Sequence, residues 1–163
     1  MFVRTASERD LVAVRALLVE TWHATYDPIY GVDRVAEITD DWHSPAALKG
    51  RLTQPRSEFI LADDGQSLGG VAFASADEDG RVVTLHQLYV LPAMQGRGIG
   101  GMLLDEIVES FPQARRLVLE VEEANVPAIA FYEAHGFSLA GRTQDCGRKG
   151  SGIPALVYER ALA

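Results

Sequence analysis

The chain has 163 residues, 47% of them hydrophobic and 23% charged; this is ordinary globular composition, and the length favours one domain over residues 1–163. A formal net charge of −8 and a pI near 4.9 argue against nucleic-acid binding, which needs cationic surface. No apolar run approaches the roughly 20 residues of a membrane span, the opening M-F-V-R-T-A-S-E-R-D does not resemble a signal peptide, and a single cysteine, Cys146, fits a reducing compartment; no membrane partner and a cytoplasmic location are therefore expected.

Phe2–Ala6 reads as a short apolar strand. Ser7 with Asp10 three residues on resembles a capping box, with Asp in place of Glu or Gln. Leu11, Val14, Leu17 and Leu18 follow at helical spacing. This helix is expected to run to about Thr21 and to fray before Asp27-Pro28. Residues 22–45 are aromatic and acidic, and read as irregular chain with short helical stretches. Ser44-Pro45 reads as the cap and first position of a helix through Leu52.

Glu58–Ala62 and Leu68–Ser75 read as strands joined by the turn Asp63-Asp64-Gly65. Asp77–Gly80 is a second hairpin turn, and Arg81–Leu91 a long strand. Ile99, Met102, Leu103 and Ile107 form one helical face that ends near Ser110-Phe111-Pro112. Leu117–Val121 is a strand, Asn125 caps a short helix and Gly136 ends it. Phe137–Arg142 and Leu156–Arg160 close the chain as strands. The order βαα-ββ-βαβ-αββ is an α/β reading with a mixed sheet. Its central strand–helix–strand must be parallel, because the crossover is a helix. Such a unit binds ligand at the carboxyl ends of its strands.

Residues Gln95 to Gly101 read Q-G-R-G-I-G-G, between an apolar strand and an amphipathic helix. A glycine-rich turn that opens a helix is built to hold phosphate. The helix start leaves backbone N–H groups without partners, and its dipole favours negative charge. Gly96, Gly98 and Gly101 fit the dinucleotide fingerprint G-x-G-x-x-G, and the acidic Glu120-Val121-Glu122-Glu123 falls about 20 residues on, where a ribose ligand would sit. Only 62 residues follow Gly101 in this chain of 163, too few for the further strand–helix units that fold needs. A phosphate loop of the Walker type is excluded, because no Lys-Ser/Thr follows the last glycine.

A second motif decides among phosphate ligands. Asn125 to Phe137 read N-V-P-A-I-A-F-Y-E-A-H-G-F. Together the two stretches resemble the GNAT superfamily of N-acetyltransferases. Its loop Q/R-x-x-G-x-G/A is met by Gln95, Gly98 and Gly100; its N-x-x-A-x-x-F/L-Y-x-x-x-G-F is met by Asn125, Ala128, Phe131, Tyr132, Gly136 and Phe137. The lead-in L-Y-V-x-P, Leu88 to Pro92, is also usual. The match covers roughly residues 85 to 140. It implies a mixed, largely antiparallel twisted sheet with a central parallel β-α-β unit and flanking helices. It also implies acetyl-CoA as cosubstrate, an amine as acceptor, and a homodimer as one common assembly.

The resemblance assigns the cofactor to Leu88, Tyr89, Val90, Gln95, Gly96, Arg97, Gly98, Ile99, Gly100, Asn125 and Tyr132. Backbone N–H groups of 95–100 would meet the pyrophosphate, with Arg97 as a charge partner or simply an exposed cation. Leu88–Val90 would pair by main chain with the pantetheine arm, and an N–H there, such as that of Val90, would meet the developing oxyanion. Asn125 reads equally as a helix cap and as a ligand of the cofactor's amide arm. Tyr132 occupies the family's position for the acid that protonates the leaving thiolate; without the motif it would read as a core tyrosine.

The general base has two candidates. Glu120 in L-E-V, twelve residues before Tyr132, matches the pattern of ribosomal-protein N-terminal acetyltransferases, where that Glu is taken as the base. His86, on the preceding strand, has a suitable ordinary pKa near 6.5. The acceptor is expected against Trp22–Ile38 and the hairpin near Asp77–Gly80. Trp22, Tyr26, Asp27 and Tyr30 are the lining candidates, with His23 beside them and Asp33 and Glu37 able to attract a cation. The Gly-rich, charged stretch 141–154 reads as a mobile loop over the site. Cys146, beside Gly147 and Arg148, has no patterned partner that would make it a nucleophile, and no His/Cys spacing suggests a metal. Three other readings stand beside an acetyltransferase: a CoA-binding module without turnover, a nicotinamide dinucleotide binder, and a structural or interaction domain.

Overall fold

A computed structural model describes residues 1–146 and 151–162. Strand β1 (Phe2–Thr5) is followed by three helices, α1 (Leu11–Tyr30), α2 (Val32–Trp42) and α3 (Pro45–Thr53). Then come β2 (Ser57–Asp63), β3 (Leu68–Ala76), β4 (Val82–Val90), α4 (Ile99–Ser110), β5 (Arg116–Glu122), α5 (Val126–Ala134), β6 (Ser138–Thr143) and β7 (Ala155–Ala161). The strands form one seven-stranded sheet in the order β1-β2-β3-β4-β5-β7-β6. β4 and β5 pair in parallel across the helix α4, as their crossover requires; β5 with β7, β6 with β7, and β1 with β2 are antiparallel.

The chain divides into two compact units. The first is Met1–Phe73 with Gln87–Ser110, and the second is Ala74–His86 with Phe111–Ala163. In the first, Val14, Leu17 and Leu18 of α1 pack with Leu48 of α3 and with Leu61 and Val71 of the sheet. In the second, β5 alternates: Leu117, Leu119 and Val121 are buried, and Glu120 is exposed.

Two expectations for the helical segment need correcting. α1 does not fray near Thr21; it runs to Tyr30 with Pro28 in its last turns. Proline removes a hydrogen bond and crowds the preceding turn, yet Thr21, Trp22 and Tyr26 are all buried on this stretch, and that packing holds the helix. Gly31 stops it at φ 87°, donating its N–H to the Asp27 carbonyl at 2.9 Å. Residues 32–42 are not irregular either. Val35, Ile38 and Thr39 are buried at helical spacing on α2, while Asp33, Glu37, Asp40 and Asp41 supply the acidic residues that mask the pattern. Three helices, not two, thus separate β1 from β2.

The other local signals hold. The Ser44 hydroxyl accepts the Ala47 N–H at 3.1 Å at the head of α3. The Asp64 carboxylate accepts the N–H groups of Gln66 and Ser67 in the first hairpin turn, and Gly80 closes the second at φ 73°. Of the stretch 141–154, residues 141–143 belong to β6, and 147–150 lie outside the described residues.

Arg4 fastens β1 to the start of α1. Its Nη atoms donate to both Asp10 oxygens at 2.8 and 2.9 Å, and its Nε donates to Asp63 at 2.8 Å. The Ser7 N–H and hydroxyl also donate to Asp10, at 2.8 and 3.0 Å. Arg4 first, and then Ser7 against the opposing cost of burial, hold the Asp10 carboxyl well below the usual carboxylate range. A depressed folded-state pKa gives stability that is complete above the unfolded value near 4 and is lost as pH falls towards the folded value. Asp10→Asn is therefore expected to cost about 1–3 kcal/mol at pH 7 and to flatten the fall in urea midpoint between pH 5 and pH 2, as measured by denaturation at each pH.

Candidate active site

In the first unit, β4 ends at Val90 and a short turn at Pro92–Met94 leads into the glycine run. The Gln95 side chain folds back to donate to the Val90 carbonyl at 3.2 Å. Gly96 and Gly98 both stand at φ 82°, the left-handed region that residues with a Cβ rarely adopt. A Cβ added at either would meet nothing within 4 Å, so backbone conformation rather than crowding demands glycine, and the space beside the loop is open. Gly96, Arg97 and Gly98 are exposed, whereas Ile99 is buried and anchors the helix start.

The Gly98 carbonyl accepts the Met102 N–H at 3.1 Å, which begins the helix ladder. The N–H groups of Ile99, Gly100 and Gly101 precede that first bond and have no intrahelical acceptor. With the helix dipole behind them they form an anion-binding mouth. This donor set fits a pyrophosphate. β3 brings the helix close: a Cβ on Gly70 would lie 2.9 Å from both Leu103 Cδ1 and the Tyr89 carbonyl, and one on Gly69 would lie 2.9 Å from Met94 Sδ. The pair Gly69-Gly70 was a visible signal that the sequence reading passed over.

On β4, Leu88, Tyr89 and Val90 are half-buried. The parallel ladder with β5 covers Val82–Leu85 against Arg116–Leu119, so these three residues lie beyond its last pair. The candidate acceptor residues stand along α1. Trp22 and Tyr26 are buried, with ring centroids 4.5 Å apart, and Tyr26 meets the half-buried Tyr30 at 5.8 Å. Asp27, half-buried, is 2.6 Å from His23 Nδ1. Asp77–Gly80, expected beside them, belongs to the second unit.

A polar cluster behind α1 was not foreseen. Arg51 donates to Gln87 Oε1 and to the Trp42 carbonyl, both at 2.9 Å, and His43 Nδ1 lies 3.4 Å from Gln87 Nε2. Burial, then the charge of Arg51, push His43 down to about 3, so it stays neutral. Its signal was Gln87, a polar residue on the period-two face that Val83 and Leu85 bury.

In the second unit, Asn125 caps α5: its Oδ1 accepts the Ala128 N–H at 3.3 Å and its carbonyl accepts that of Ile129 at 3.1 Å. Tyr132, one of the buried residues of this unit, packs edge-on against Phe131 and Phe137 with centroids at 5.3 and 5.4 Å. Burial raises its phenol pKa, so it remains a proton donor at every working pH. Glu120 is exposed on β5 opposite Val157 of β7, and the neighbouring Glu122 is buried. His86 is exposed, with Nε2 2.7 Å from the Ser75 hydroxyl. Cys146 is buried, and burial, then the carboxylates of Glu122 and Glu120, push its thiol up to about 12. Among the described residues no group of three His, Cys, Asp or Glu side chains could hold a metal ion, and no helix is long and apolar enough to cross a membrane.

This architecture, a mixed sheet whose one parallel pair is crossed by a helix with a glycine-rich mouth, is that of an acyltransferase. Residues 13–137 match the acetyltransferase (GNAT) family, and the chain belongs to it. It is 35% identical over 108 residues to the N-alpha-acetyltransferase RimI of Mycobacterium tuberculosis, a stretch that covers 64% of this chain and 66%, just under two thirds, of that protein. It is 30% identical over 140 residues to the peptidyl-lysine N-acetyltransferase YiaC of Escherichia coli, covering 84% of this chain and 83% of that one. The fold also matches the PaiA N-acetyltransferase of Thermoplasma acidophilum, solved in complex with coenzyme A, with a TM-score of 0.86 at 21% identity over 99% of this chain and 98% of that one.

The Asn125 cap has a consequence independent of any ligand. Asn125→Ala is expected to lower stability by about 1 kcal/mol, while Asn125→Asp retains the cap and stays within a few tenths; urea denaturation of the three proteins at pH 7 measures both.

Proposed function

We propose that this acetyltransferase moves the acetyl group of acetyl-CoA to a primary amine by direct attack, with no covalent enzyme intermediate. The observation that carries this reading is the mouth of α4, where two left-handed glycines expose unpaired N–H groups beside open space. Acetyl-CoA, when bound, supplies an acyl thioester with a good leaving group. The main chain of Gln95–Gly100 holds the pyrophosphate, Arg97 adds charge, and the main chain of Leu88–Val90 receives the pantetheine arm and polarises the carbonyl. The fact that these residues lie beyond the β4–β5 ladder supports that role.

Glu120 takes the proton of the attacking amine. Tyr132 donates its phenol hydrogen to the departing sulfur. A free phenol near 10 and a thiol near 8.5 would exchange a proton at modest cost; burial of Tyr132 makes full transfer harder, so its contribution is a strong hydrogen bond to the thiolate. Asn125 serves the amide arm. His86, engaged with Ser75, is the lesser candidate for base.

The acceptor follows from the strength of that base. An α-amine with pKa near 8 loses its proton at pH 7 for about 1–1.5 kcal/mol, and a lysine near 10.4 for roughly 4.6 kcal/mol. An exposed carboxylate suits the first. Similarity to an N-alpha-acetyltransferase supports the same choice, and similarity to a peptidyl-lysine enzyme names the alternative.

A thiol-release assay over a panel of peptide α-amines, lysine side chains and small amines tests the function; release with none of them contradicts it. Tyr132→Phe is expected to lower kcat at least tenfold and to leave the KM for acetyl-CoA within about threefold. Glu120→Gln is expected to lose most activity near pH 7 and to recover part of it above pH 9, where the acceptor is already neutral. An unchanged pH–rate profile in Glu120→Gln would move the base to His86.

A further inference from the structure

Gln87 is 8% exposed on β4, and nothing in the proposed chemistry uses it. It stands just before Leu88–Val90 and beyond Leu85, where the ladder with β5 ends. On the other side β3 is the neighbour, and the Leu91 N–H donates to the Gly69 carbonyl at 2.9 Å. A buried amide needs partners, and those of Gln87 come from the helical segment. Its Oε1 accepts from Arg51 Nη1 of α3 at 2.9 Å, and its Nε2 faces His43 Nδ1 at 3.4 Å. Arg51 Nη2 in turn donates to the carbonyl of Trp42, the last residue of α2, at 2.9 Å. The same guanidinium lies 5.7 Å from the centre of the Phe73 ring on β3. One side chain therefore joins α2, α3, β3 and β4.

We propose that Arg51 and Gln87 are a positioning pair for the acyl group: the guanidinium clamps the Gln87 amide and so fixes the β4 main chain at Leu88–Val90 where it polarises the thioester carbonyl. The proposal rests on that main chain receiving the pantetheine arm. An oxyanion donor must stand about 3 Å from the reacting oxygen, and a misplacement of about 1 Å can cost roughly a hundredfold in rate. A segment beyond its ladder with β5 has freedom to shift on that side. A charge-assisted bond at the residue before it removes that freedom.

The choice of residue matters. An apolar side chain at 87, as the buried Val83 and Leu85 would lead one to expect, fills the same face but is not directional. The amide specifies one setting of the strand. Burial, then the charge of Arg51, keep His43 neutral, so the cluster holds the same charge at every working pH.

The test compares Gln87→Met, Arg51→Met combined with Gln87→Met, and Gln87→Glu in the full chain, with folding followed by urea denaturation. The double variant replaces a polar pair by apolar side chains, so no charge is left buried alone and the fold is kept. Both Met variants are expected to lower kcat about tenfold and to leave the KM for acetyl-CoA within about threefold, because the pyrophosphate is gripped elsewhere, at α4. The double variant is expected to be no slower than Gln87→Met, since the two residues act as one unit. Gln87→Glu keeps an acceptor for Arg51 and is expected to return kcat to within about threefold of wild type. Hydrogen exchange in the peptide spanning 87–91 is expected to quicken in both Met variants and not in Gln87→Glu. A merely structural pair would lower the urea midpoint and leave the folded enzyme with wild-type kcat and unchanged exchange at 87–91. That result, or a Gln87→Glu as slow as Gln87→Met, would overturn the positioning role. Faster exchange at 87–91 with wild-type kcat would instead overturn the reading of Leu88–Val90 as the segment that polarises the carbonyl.

Discussion

The mouth of α4 imposes the constraint on which the rest depends. A helix start carries N–H groups that its own backbone cannot satisfy. Here that start stands on an exposed loop of left-handed glycines, with Ile99 buried behind it and a glycine pair on β3 letting the helix approach the sheet. β4 and β5 pair in parallel, which sets the carboxyl ends of both strands in one direction. Glu120 lies near the end of β5, and Asn125 and Tyr132 follow on α5.

Burial divides the proposed proton carriers. Tyr132 is enclosed by aromatic rings, and a phenol so placed keeps its proton. Glu120 is exposed on β5. The two side chains thus differ in burial as well as in chemistry.

Much of this was legible in the sequence, and the reasons are local. Each hairpin turn carries its glycine, Ser44 and Asn125 announce their helices, and Leu117, Leu119 and Val121 alternate along β5 as its buried face. The extent of α1 was not legible. Pro28 is a strong local stop signal, and only the burial of Trp22 and Tyr26, a tertiary effect, outweighs it. α2 was hidden by its own acidity, although the spacing of Val35, Ile38 and Thr39 was present. The Arg51–Gln87–His43 cluster joins residues far apart in the chain, and no spacing rule brings such groups together.

The central claim is that main-chain N–H groups at the head of α4 hold the pyrophosphate of coenzyme A. Isothermal titration with CoA, acetyl-CoA, pantetheine and NAD tests it most directly. The account predicts that both CoA species bind, that pantetheine, which lacks the pyrophosphate, binds at least a hundredfold more weakly, and that NAD does not bind. Pantetheine binding as tightly as CoA, or NAD binding in its place, would contradict it.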